Sequence, residues 1–241
     1  MKQYEAVIEV MRKNGGFSTL GHLYKEVLNV PHVQWETKTP FASIRRIVQD
    51  SRFFFKIKPG LWALKEFKNA LPPEIIELSK DTHKKNDSVH SYYQGLLVEI
   101  GNLKKLGTYI PLQDKNKKYL NNELGKIASI KKMLAFSYES IVNKAKTIDV
   151  IWFNDRKMPN YFFEVEHTTN IQNSLLKFVE LQDFHADFFI IADKIRKQEF
   201  DTKISLSAFK PMNQRIKFLN YDQVSFWHTK IFELSVIENI L

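Results

Sequence analysis

Two apolar runs carry acids where a packed sheet has least room for them. Asp149 stands in Thr147-Ile148-Asp149-Val150-Ile151-Trp152-Phe153, and Glu164 and Glu166 stand in Tyr161-Phe162-Phe163-Glu164-Val165-Glu166-His167. Short runs rich in β-branched and aromatic residues predict core strands, and the turn-like stretch 155–160 between them predicts a hairpin. Side chains two apart on a strand share a face, so Glu164 and Glu166 point one way and Val165 and His167 the other. An ionised carboxylate in a packed strand is costly unless it is paired or binds a metal. Three on neighbouring strands repel one another, and a divalent cation resolves the repulsion. The alternative is that these acids face water on an edge strand, or pair with lysines.

The surrounding pattern extends the unit. Tyr93, Leu96, Leu97, Ile100 and Leu103 mark a helix over 92–106, a second helix is expected over 171–184, and 187–192 reads as a third core strand. Residues 215–219 suggest a fourth strand, and 221–241 a closing helix. Helices around a mixed sheet follow from that order. The chain has no cysteine, which excludes a disulfide scaffold, a thiolate zinc site and a Cys nucleophile, and fits a reducing cytoplasm. Its polar start is no signal peptide, and no apolar run is long enough to cross a membrane. Glycine loops for nucleotides and Gly-x-Ser-x-Gly are absent, so ATP, nicotinamide and acyl chemistry lack support.

Asp149 followed by Glu164-Val165-Glu166 resembles the PD-(D/E)xK nuclease superfamily over about residues 91–195, with Glu166 where the family pattern has Lys. The resemblance implies a mixed sheet flanked by helices and Mg²⁺-dependent hydrolysis of phosphodiester bonds in double-stranded DNA, with Mn²⁺ as a substitute. It implies Asp149, Glu164 and the Val165 carbonyl as metal ligands, with Glu166 orienting or deprotonating the attacking water. Glu99 matches the acid that the family often carries on its preceding helix; it either completes a second metal position or is a solvent-facing helix residue. Lys144, Lys146 and Lys177 are candidates for the scissile phosphate, or surface lysines.

The N-terminal part reads separately. Residues 1–70 hold 12 Lys/Arg against 6 Asp/Glu, whereas 71–241 hold 24 against 21. Charge concentrated in a small unit suits an acidic partner. Three short helices, with Ser18 as N-cap of the second and Thr39-Pro40 opening the third, precede a hairpin turning at Pro59-Gly60. Thr39-Pro40, Ser43-Ile44-Arg45, Arg52-Phe53 and Pro59-Gly60-Leu61-Trp62-Ala63-Leu64 resemble the HARE-HTH winged helix-turn-helix, which implies DNA binding or docking. On the third helix Phe41, Ile44, Ile47 and Val48 face inward. Arg46 lies opposite them, flanked by Ser43 and Gln49, which predicts contact of Arg46 and Gln49 with base edges. Arg45, Arg52, Lys56 and Lys58 are placed for phosphates; the alternative is ordinary solvated charge or a protein-docking surface.

The fold class expected is therefore a winged helix over 1–70, a linker over 71–90 and an α/β nuclease core over 91–241. The function expected is a restriction-type DNA endonuclease, a homodimer on DNA because one site cuts one strand, with a cognate DNA methyltransferase in the same system. The other reading is a DNA-binding regulator with an inert nuclease-like domain.

Overall fold

The computed structural model of the chain describes residues 1–35, 37–80, 87–168 and 170–238. They fall into two units: the described residues of Met1–Asp81 with those of Ser225–Leu241, and those of Thr82–Val224.

In the first unit, α1 (Gln3–Lys13) buries Ala6, Val7, Val10 and Met11 along one stripe. It ends at Gly15 and Gly16, whose φ values of +83° and +90° favour glycine. A short strand the pattern did not reveal, β1 (Phe17–Thr19), comes next. It moves the start of α2 (Leu20–Glu26): Thr39's expected counterpart, Ser18, lies in β1 opposite Trp62, and Thr19 is the cap, accepting from the His22 N–H at 3.2 Å. Next come α3 (Pro40–Val48), β2 (Phe54–Lys58) and β3 (Leu61–Leu64). The three strands form an antiparallel sheet in the order β1-β3-β2. Leu23, Tyr24, Ile44, Val48, Phe54 and Leu64 close the core with α1.

The stretch expected as a partly helical linker is described up to residue 80. Leu71, Ile75 and Leu78 are buried, and α4 (Pro73–Ser79) carries the last two, because their spacing forms one apolar helical stripe. Residues 81–86 of that stretch lie outside the described residues, as do Thr169 and 239–241.

The second unit begins with α5 (Asp87–Leu103), buried over most of its length. Then come β4 (Gly107–Tyr109), the small hairpin β5 (Lys118–Tyr119) and β6 (Asn122–Glu123), α6 (Leu124–Ile127) and α7 (Glu139–Ala145). The expected hairpin follows as β7 (Val150–Phe153) and β8 (Pro159–Glu166). Asn154 Oδ1 shapes its turn by accepting from the N–H groups of Arg156 and Met158. Then α8 (Ile171–Val179), β9 (Asp187–Ala192), α9 (Lys197–Ile204), β10 (Ile216–Asn220) and α10 (Tyr221–Glu238) complete the chain. The sheet order is β10-β9-β8-β7-β4, with β8, β9 and β10 parallel and β7 antiparallel to both neighbours. Trp152 is fully buried and donates to the Leu97 carbonyl of α5 at 3.1 Å, while Phe162, Phe188 and Ile190 pack with Ile171, Leu175 and Phe178 of α8.

The second unit was expected to run to the C-terminus; instead, α10 from Ser225 onward belongs with the first unit. Gly21 makes room for it, since a Cβ there would stand 2.5 Å from the Phe232 ring. No described helix is long and apolar enough to cross a membrane.

Candidate active site

Strand parity gathers the acids. Glu164 and Glu166 share the face of Phe162, which packs under α8, and Asp149 continues the face of Ile151 and Phe153 in the same core. All three carboxylates therefore fall on the α8 side of the sheet. They line a cavity of about 350 Å³ that His90, Ser174 and Lys177 also line. Glu164 and Glu166 are buried, 2% and 4% exposed, so the edge-strand alternative does not describe them. The lysine-pairing alternative holds for Glu164, whose two oxygens accept from Lys177 Nζ at 2.7 and 3.0 Å.

The environments of the acids differ. Burial works against charge on Asp149, but His90, the Val165 N–H at 2.7 Å and Lys177 together hold its carboxyl below its ordinary value. Glu164 is pushed well above the usual carboxylate range by burial first and then by the charge of Asp149; Lys177 and Ser174 offset only part. Burial opposes the charge on Lys177 too, but Glu164, Asp149 and Glu166 raise its pKa above the ordinary value. The surroundings thus favour the charged form of Asp149 and the neutral form of Glu164. Ser174 Oγ lies 2.8 Å from Glu164 Oε2 and also contacts Glu166 Oε1. One hydroxyl hydrogen cannot serve two carboxylates. Arg196 donates to the Glu166 carbonyl at 3.1 Å, and its guanidinium stands 4.0 Å from the carboxylate.

The expected residues divide. Lys177 reaches the acids, whereas Lys144 faces Glu180 and Lys146 donates to Asn143. Glu99 accepts from the Tyr119 hydroxyl at 2.7 Å and does not line the cavity. It lies nine positions beyond His90, about two and a half turns, and so on the opposite side of α5. His167 was expected to turn away; its Nδ1 lies 3.3 Å from the Tyr221 hydroxyl while the residue lines the cavity edge. Sequence reasoning missed His90, Gln94 and Ser174. Ser174 left a trace, a polar residue in the stripe of Ile171, Leu175 and Phe178; His90 and Gln94 left none, because their partner is 55 or more positions away.

In the first unit, Arg46 on α3 and Gln49 just past its end are exposed, and the Arg46 side chain has no ion pair or hydrogen bond among the described residues. Ser43 is half-buried, its hydroxyl 3.5 Å from the Thr39 carbonyl. Arg45 and Arg52, expected at phosphates, are engaged within the unit. Arg45 donates to the Tyr24 hydroxyl at 3.2 Å and lies 3.5 Å from Glu233, and Arg52 pairs with Asp50 at 2.6 Å. Lys56 is exposed on β2, and Lys58 is half-buried beside the turn.

A five-stranded mixed sheet with buried carboxylates and a lysine at one cavity has the make-up of a restriction endonuclease-like protein. Residues 57–238, about three quarters of the chain, match the family described as Type II restriction enzyme NmeDI C-terminal domain. The chain belongs to that family. No curated protein and no solved structure matches it.

Proposed function

We propose that the chain is a metal-dependent endonuclease that hydrolyses double-stranded DNA at specific sequences, with a PD-(D/E)xK-type centre in its Glu-x-Glu form and a winged helix at its N-terminus. The observation that carries the reading is the convergence of Asp149, Glu164 and Glu166 with Lys177 on one cavity. Family membership supports a restriction-type nuclease acting on DNA.

The donor set fits Mg²⁺, a hard cation that takes one or two carboxylates and keeps waters and phosphate oxygens. Asp149 and Glu164 stand close enough for the charge of one to raise the other's pKa. A strand residue's N–H and C=O point to the same edge, so the Val165 carbonyl faces the side where its N–H meets Asp149. Among the described residues no group of three His, Cys, Asp or Glu side chains is arranged to hold a metal ion. Asp149, Glu164 and the Val165 carbonyl would hold it. When bound, the ion supplies charge neutralisation at phosphorus and lowers the pKa of a water. Glu166 orients or deprotonates the attacking water, and Ser174 fixes its carboxylate. Lys177 faces the scissile phosphate and holds Glu164 in place.

Supercoiled plasmid incubated with Mg²⁺, Mn²⁺ or EDTA tests this reading. Nicked and linear products with defined ends are expected only with metal, and DNA binding without any cleavage would instead indicate an inert nuclease-like domain on a regulator. Cleavage of both strands at one site is expected to need a homodimer on DNA.

On α3, Arg46→Ala is expected to cost about 1–3 kcal/mol of binding and to relax preference at one base pair. Lys56→Ala is expected to weaken binding to all duplexes alike and to lower its salt dependence. Titrations on cognate and scrambled duplexes at two salt concentrations measure both. Unchanged affinity in both variants would move base reading away from α3 and β2.

A further inference from the structure

Besides Asp87, which lines the cavity from its first turn, α5 brings a histidine and a glutamine to residue 149. His90 Nε2 lies 3.1 Å from Asp149 Oδ2, and Val165 N–H donates to that same oxygen at 2.7 Å. One turn further along α5, Gln94 donates to the Asp149 backbone carbonyl at 3.2 Å. The same amide donates at 2.8 Å to Asp114, which is 3% exposed and lies 2.7 Å from Lys117. Residues four apart share a helix face. His90 and Gln94 therefore grip residue 149 at two points, one on the side chain and one on the backbone. An ionised carboxylate only accepts, so the proton of this contact sits on His90 Nε2. Two donors occupy Oδ2, and Oδ1 has no protein partner among the described residues.

We infer that His90 is a positioning residue for the metal ligand Asp149: with Gln94 behind it, it orients the carboxylate so that Oδ1 alone is presented to the ion. This rests on the metal-dependent reading above. Groups behind a ligand that fix its orientation commonly carry 10–100-fold of metal affinity. His90 thus acts on metal binding before any DNA is present. It also explains how α5 serves the site while Glu99 faces the other way.

The test is Mn²⁺ binding by the full chain without DNA, followed by the electron paramagnetic resonance signal of the free ion. The variants are His90→Gln, His90→Asn, His90→Ala and Asp149→Asn, each checked for folding by its thermal melt. A glutamine places its amide nitrogen near the position of the imidazole Nε2, and an asparagine falls short of it. His90→Gln is expected to bind close to wild type, and His90→Asn and His90→Ala about 10–100-fold more weakly. Should one of the weakened variants fail to fold, the other still decides. Wild-type affinity in His90→Asn or His90→Ala overturns the inference, as does equal weakening in His90→Gln and His90→Asn. If Asp149→Asn binds Mn²⁺ as wild type does, the metal reading itself fails and this inference goes with it.

Discussion

Asp149→Asn is expected to lower DNA cleavage by about 10³-fold or more while leaving metal-free DNA binding near wild type, because a lost charged ligand removes stabilisation that exists only as charge develops in the reaction. The amide keeps an acceptor for the Val165 N–H, so the strand end should hold its shape. Glu164→Gln is expected to lose cleavage to a similar degree but to gain stability. In the metal-free protein Glu164 is buried beside the charge of Asp149 and held far above its ordinary pKa. A neutral amide relieves that conflict, by about 0.5–2 kcal/mol at neutral pH. Single-turnover cleavage and thermal melts in EDTA give both numbers. A Glu164→Gln protein that cuts at the wild-type rate would remove Glu164 from the site.

Lys177→Met is expected to slow cleavage about 10²-fold at neutral pH, since a cation facing the developing charge is lost, and to sharpen the pH dependence of metal-free stability. Glu164 has a folded pKa raised above its unfolded one, so the folded state binds the extra proton. Its contribution is complete below the ordinary Glu range and is lost as pH rises through the raised value. His90 acts in the same direction: burial opposes its charge, but Asp149 raises its pKa above the usual histidine value, and stability is lost as pH passes through it. Asp149, held below its ordinary value, works oppositely and only at lower pH. Without Lys177 the Glu164 carboxyl rises further, so melts in EDTA should fall more steeply with pH than in wild type. In Glu164→Gln the fall should be shallower. Equal slopes in all three proteins would mean that the Lys177–Glu164 pair does not govern the titration.

The hairpin of β7 and β8 and the shared face of Glu164 and Glu166 were legible because a strand repeats every two residues, and its acids stand out against an apolar run. The same held for α1 and for the inward face of α3, where helical spacing alone separates Ile44 and Val48 from Arg46. The tertiary structure decided what contacts at long range decide. Lys144, Lys146 and Lys177 are equivalent in sequence, and only the packing of α8 over β8 places Lys177 on Glu164. Glu99 and His90 sit on one helix, and the rotation of α5 against the sheet turns the histidine to Asp149 and the acid to Tyr119. The sequence marks α10 as a helix, but not what it packs against, and from Ser225 it groups with the N-terminal unit. Local periodicity determines elements and faces, since it depends on backbone geometry within a few residues. Partners across 50 or more positions depend on how the faces dock, which no local pattern encodes.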